Sequence, residues 1–155
     1  MGESLITSRA GAGGGGEATI TFDNYIGEGA VANKFVGNWS VYSDELAGAS
    51  VGGYALFAGG KSGVYNSYVF AYDASLTVTM PTSLSEARYQ LEGASVGNYA
   101  LFAGGIAASY MNTVDAYDTS LTHSTPTSLS AGRTYLAGAS VGNYALFAGG
   151  RIGTT

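Results

Sequence analysis

One segment, Gly-Ala-Ser-Val-Gly-(Gly/Asn)-Tyr-Ala-Leu-Phe-Ala-Gly-Gly, occurs three times in this chain, beginning at Gly48, Gly93 and Gly138. The copies stand 45 residues apart. A fixed period of that size marks one supersecondary unit used repeatedly, each copy too small to bury its apolar face alone. Residues 48–92 and 93–137 form two full repeats, and 138–155 begin a third. The full repeats also share Ala-Tyr-Asp, Ser-Leu-Thr, Pro-Thr-Ser-Leu-Ser and a single arginine.

Each repeat reads as four short strands. In the second, Gly93–Val96 is the first and is built of small residues. Gly97-Asn98 gives a tight hairpin turn. Tyr99–Ala103 is the second strand, closed by Gly104-Gly105. Thr113–Tyr117 is the third, and Leu121–Thr127 the fourth, an edge strand because Pro126 cannot donate a ladder hydrogen bond. The Tyr-Ala-Leu-Phe-Ala strand is apolar on both alternating faces, as a strand covered on both sides must be. Four strands in about 45 residues is the size of a propeller blade. The small first strand suits a crowded axis.

Composition narrows the partners. Charged residues make up 11% of the chain, the net charge is −5, and there are 25 glycines. The basic residues Arg9, Lys34, Lys61, Arg88, Arg133 and Arg151 form no cluster, so a nucleic-acid partner is not expected. With no cysteine and one histidine, disulfides and structural zinc are excluded. No apolar stretch near the N-terminus has the length of a secretion signal, and none elsewhere that of a membrane span.

The diglycines Gly59-Gly60, Gly104-Gly105 and Gly149-Gly150, the pairs Tyr72-Asp73 and Tyr117-Asp118, and the arginines Arg88 and Arg133 resemble the kelch repeat. The likeness covers about residues 40–155 and lacks the tryptophan of the fourth kelch strand. The fold it implies is all-β, a set of kelch-like β-propeller blades. About four to eight blades close a ring. Closure would therefore come from further sequence or from copies of the chain, the alternative being an open stack. From Ala18 to Thr155 there are 138 residues, close to three periods. The N-terminal strands are thus candidates for the outer half of the unfinished blade, which makes a homo-oligomer an expectation.

Ahead of the repeats, residues 1–17 are an N-terminal segment ending in a glycine tract, either a linker or an anchor peptide. Residues 18–47 are a β-like connector, with strands expected at Thr19–Phe22 and Lys34–Tyr42. Gly2 to Arg9 followed by glycines resembles the start of phage tail or fibre proteins. That resemblance implies a virion protein folded in the host cytoplasm and released by lysis. Residues 1–17 would hold it to other virion proteins, and its blades would recognise a host-surface glycan. The alternative is a bacterial kelch-repeat lectin or protein-binding scaffold outside any virion.

No catalytic, cofactor or metal set is expected. His123 reads as a strand-surface histidine, since Val78 takes its place in the first repeat. Asp73 and Asp118 read as turn-closing side chains rather than calcium ligands. Arg88 and Arg133 either bind carboxylates between blades or face a ligand. The diglycines read as backbone with positive φ. The loops after them differ between repeats while the framework is constant, which is where recognition usually sits. Lys61, Tyr65, Asn66, Tyr68, Tyr110 and Asn112 are the ligand-binding candidates, tyrosine and asparagine together suiting a sugar ring.

Overall fold

In a computed structural model the described residues are 5–8, 18–21 and 43–153. The chain divides into two compact units, Met1–Ser40 and Val41–Thr155. In the first unit, β1 (Leu5–Ser8) pairs antiparallel with β2 (Ala18–Thr21). The strand expected at Thr19–Phe22 is thus a strand over 18–21, and a partner strand lies within the segment read as linker or anchor. The glycine tract, Trp39 and the strand expected at Lys34–Tyr42 lie outside the described residues.

The second unit is all-β, with no helix among the described residues. The first repeat forms a four-stranded antiparallel sheet. Its members are β3 (Ala47–Val51), β4 (Tyr54–Ala58), β7 (Val69–Tyr72) and β8 (Val78–Thr79), neighbours in that order. Between β4 and β7 lies a small hairpin, β5 (Lys61–Ser62) with β6 (Val64–Tyr65). The second repeat gives the same meander from β9 (Glu92–Val96), β10 (Tyr99–Ala103), β11 (Val114–Asp118) and β12 (His123–Ser124). In the third, β13 (Arg133–Val141) pairs with β14 (Tyr144–Ile152) as a two-stranded sheet.

Three details differ from the expectation. At the end of the expected connector, Ala47 already belongs to β3, Asp44 bridges Lys61 of the small hairpin, and Ser43 Oγ donates to the Gly59 carbonyl at 3.2 Å. The third strand lies one residue later than expected. The fourth shrinks to two residues, because the turn before it holds Leu121 at φ 61 and leaves only His123 and Ser124 to pair.

That turn is closed by an aspartate. Asp118 Oδ1 accepts from the amides of Ser120 (2.8 Å) and Thr122 (2.9 Å), and Asp73 Oδ1 from those of Ser75 and Thr77 (both 2.9 Å). In each turn these bonds satisfy two otherwise orphaned amides around the residue in the left-handed region, Leu76 or Leu121.

The first strands of the sheets lie side by side, β9 packing against both β3 and β13, which their small side chains permit. A methyl group on Gly93 would run into the Gly48 carbonyl, so only glycine allows β9 to approach β3 so closely. Ser50 and Ser95, one period apart, join the same two strands: the Ser50 amide donates to Ser95 Oγ at 2.8 Å. Between the first two sheets lies the core, with Val51, Leu56, Val69, Leu84, Leu91, Phe102 and Tyr117. Tyr72 packs edge-on against Phe57 and Tyr117 against Phe102, each with ring centres 6.1 Å apart.

Candidate functional site: an aromatic and polar rim

At one end of the sheets, the same unusual conformation recurs just before β3 and β9 and near the start of β13. Glu45, Gln90 and Tyr135 are one period apart and have φ of 57°, 55° and 56°. A side chain there costs on the order of 1 kcal/mol relative to glycine, and it recurs three times. Backbone bonds link the three positions. The Gln90 amide donates to the Glu45 carbonyl at 2.9 Å, and the Tyr135 amide to the Gln90 carbonyl at 3.4 Å. The backbone therefore repeats while its side chains change from carboxylate to amide to phenol.

Neighbouring side chains extend this row. Tyr65, from the β5–β6 hairpin, stacks on Tyr89 with ring centres 4.9 Å apart and planes tilted 30°. Lys61 Nζ lies 5.3 Å from the centre of the Tyr89 ring. Gln90 Nε2 donates to the Tyr135 hydroxyl at 2.5 Å, while its Oε1 accepts from Thr134 Oγ1 at 3.0 Å. The Arg151 guanidinium sits 5.5 Å from the centre of the Tyr135 ring. Contacts thus run unbroken from Lys61 through Tyr89, Gln90 and Tyr135 to Arg151. Tyr135 is 55% exposed. Desolvation first, then Tyr65 and the charge of Glu45, raise the Tyr89 phenol above its ordinary value, so it stays a neutral hydrogen-bonding group at physiological pH.

The predicted loop residues separate into those on this row and those off it. Lys61 and Tyr65 lie on it. Asn66 does not: it is 7% exposed, and its Nδ2 donates to Ser62 Oγ at 3.1 Å, so it closes the base of the hairpin instead of facing a ligand. Asn112 is exposed but donates to the Leu129 carbonyl at 3.3 Å. Tyr68 is exposed, with its ring 6.4 Å from that of Phe70. Tyr110 is half-buried and lies close to Gly153. Sequence reading missed Tyr89, Gln90, Tyr135 and Arg151. The usable signal was that residues 45, 90 and 135 differ just ahead of a leucine (Leu46, Leu91, Leu136) and a glycine segment that repeat.

The diglycines take the positive φ their sequence implied, 70° and 96° at Gly59-Gly60 and 67° and 100° at Gly104-Gly105. A methyl group on Gly104 would stand 2.5 Å from the Arg133 carbonyl.

Arg88 is fully buried and reaches the next sheet. Its Nη2 donates to Asp115 Oδ2 at 2.6 Å and to the Phe102 carbonyl at 3.2 Å. Asp115 also accepts from the Ser85 amide (2.9 Å) and Ser85 Oγ (3.1 Å). His123 Nε2 lies 2.6 Å from Asp115 Oδ1, so this histidine is half-buried and engaged rather than a plain surface residue. Burial opposes ionisation of Asp115. The Arg88 charge first, then the bonds from His123, Ser85 and Arg88, outweigh it and hold the carboxyl below its ordinary value. Burial, then the charge of Asp115, pushes the Tyr117 phenol up; its hydroxyl donates to the Thr82 carbonyl at 2.8 Å. Serine, histidine and aspartate meet here, but Ser85 bonds the carboxylate and not the imidazole, so the proton transfer of a nucleophilic triad has no path through these bonds. The cluster fastens residues 82–88 to β11. Arg133, one period later, donates instead to the Gly149 carbonyl at 2.9 Å.

Among the described residues no group of three or more His, Cys, Asp or Glu could hold a metal ion, and no helix is long and apolar enough to cross a membrane. No family model matches the chain, and no curated protein matches it. Among solved structures it is similar to the one titled "Structure of YjhT", with a TM-score of 0.62 and 17% identity. The match covers 71% of this chain and 39% of that one, so the chain spans well under half the length of that structure. At this identity the likeness is one of fold.

Proposed function

We propose that this chain is a non-enzymatic recognition module of kelch-like propeller blades, with the row from Lys61 to Arg151 as its glycan-binding surface. The observation that carries this reading is the row itself: identical backbone at residues 45, 90 and 135, with side chains that differ at every copy. Fixed scaffold with varied side chains is the pattern of a recognition surface. Tyrosine rings offer flat faces to the C–H side of a sugar, and Gln90, Lys61 and Arg151 offer donors to its hydroxyls. The two meanders and the close stacking of small inner strands support the blade reading.

A glycan array probed with the intact chain tests the assignment. Retention of a glycan by the wild type, weakened about tenfold by Tyr135→Ala, is the expected result. A folded wild type that retains no glycan, or a Tyr135→Ala variant that binds as well, removes it. The place of the module on a virion fibre, as a tail fibre or tail/head-associated fibre, is supported by the sequence of residues 1–17. Deleting residues 2–17 is expected to abolish incorporation into particles. Unchanged incorporation would leave a bacterial lectin or protein-binding scaffold as the reading of the same rim.

A further inference from the structure

Tyr65 and Tyr89 meet from different sheets. Tyr65 ends β6 in the small hairpin, where it pairs with Lys61. Tyr89 stands just before β9 and exchanges two backbone hydrogen bonds with Ile106, at 3.2 and 2.9 Å. Both backbones are therefore held where the side chains meet. The rings stack with centres 4.9 Å apart. Among the described residues no other two tyrosines stack on one another. After desolvation, the charge and the hydrogen bond of the Tyr65 phenol raise the Tyr89 phenol most, so the two hydroxyls lie together. Stacked rings whose hydroxyls meet also bring together the carbons ortho to those hydroxyls. Neither ring is sealed off, Tyr65 being 42% exposed and Tyr89 half-buried.

We propose that Tyr65 and Tyr89 form a site of oxidative coupling, at which a haem peroxidase using hydrogen peroxide joins the two rings by a carbon–carbon bond. Two successive one-electron oxidations take an electron and the hydroxyl proton from each phenol. The ortho carbons of the paired radicals then bond, and the hydrogen on each returns to its phenol oxygen as the ring regains aromaticity. The two electrons and two protons reduce one hydrogen peroxide to two waters. Tyr65 loses its electron first. It is the more exposed ring, and Lys61 Nζ, 5.3 Å from the centre of the Tyr89 ring, opposes a positive charge there. Coupling outruns other losses of the radicals because the partner ring is already in place, as an intramolecular reactant is. The bond ties the β5–β6 hairpin to the entry of β9 and fixes the Lys61 end of the rim. This inference rests on the contact of the two rings and is independent of what the rim binds.

The test is treatment of the dilute, intact chain with a haem peroxidase and hydrogen peroxide, followed by cleavage after glutamate and mass spectrometry. Cleavage at Glu45, Glu86 and Glu92 places Tyr65 in residues 46–86 and Tyr89 in residues 87–92, where it is the only tyrosine. The expected product, from chains that stay monomeric, is 46–86 joined to 87–92 with two hydrogens lost, and fragmentation should place the bond on Tyr65. Tyr65→Phe keeps the ring and its packing, and should lower the yield at least about tenfold. Tyr68→Phe, in the same fragment, should leave the yield unchanged. The proposal is overturned by the absence of the joined fragment from the oxidised wild type, or by a bond placed on Tyr54, Tyr68 or Tyr72 instead of Tyr65. An undiminished yield in Tyr65→Phe, or a product confined to links between two chains, would also overturn it.

Discussion

The second and third sheets start from nearly the same sequence and end in different environments. Glu92–Ala103 and Ala137–Ala148 both run through Gly-Ala-Ser-Val-Gly-Asn-Tyr-Ala-Leu-Phe-Ala. Both form a hairpin in the same register. In the second sheet Ala100 and Phe102 are fully buried, while their counterparts in the third, Ala145 and Phe147, are only half-buried. The comparison teaches that the hairpin is a local product of the sequence, whereas burial is conferred by the strand and connection that lie alongside it. Arg88 and Arg133 make the same point. One is locked onto a buried carboxylate, and the other turns back to a carbonyl of its own sheet.

The largest effect should come from breaking the arginine equivalence. Arg88→Met strands Asp115 as a buried charge and is expected to cost about 3–5 kcal/mol in chemical denaturation. Arg133→Met should cost less than about 0.5 kcal/mol, as a surface change does. Similar losses at both positions would mean that the third sheet is as well covered as the second. Truncating the shared leucine sharpens the same contrast. Leu56→Ala should lose about 2–5 kcal/mol, and Leu146→Ala only a few tenths.

Acid titration separates the sheets by a different route. Asp115 has a native pKa below its ordinary 3.8. The stability it contributes is therefore complete above that ordinary value and is lost as the pH falls through the lower native value. In the wild type, stability should drop through this acid range; in Asp115→Asn that part of the drop should vanish from a lower starting stability. An unchanged acid limb would show that the Arg88–Asp115 pair is not linked to folding. The smallest expected difference is between the turns. Asp73→Ala and Asp118→Ala each remove two bonds to backbone amides and should cost about 1 kcal/mol apiece. Because the turn is local, the two losses should agree within a few tenths in denaturation midpoints measured side by side.

Much of the fold was legible from the 45-residue period. The inner strand of small residues, the Gly97-Asn98 turn, the diglycine stop and the aspartate turn each depend on neighbours only a few residues away. Two of the six residues of the row were legible for the same reason: Lys61 and Tyr65 sit in a loop that differs between repeats. Tyr89, Gln90 and Tyr135 were overlooked because they lie at the start of the first strand of a sheet, where no glycine or asparagine marks the left-handed residues Gln90 and Tyr135. Asn66 was misplaced because its burial depends on Ser62 and Ser43 folding over it. Asp115 drew no notice because its counterpart is Phe70, so the repeat pattern pointed away from a charge.

By itself the sequence determined the period, the strands and the turns, since these follow from alternation of side chains and from the φ angles that glycine and aspartate permit. Only the tertiary structure decided that Arg88 meets Asp115 and His123, that Tyr65 lies on Tyr89, and that one copy of a common strand is buried while another is bare. Those outcomes join residues tens of positions apart. They depend on how one sheet lies against the next, a spacing set by packing that no local pattern encodes.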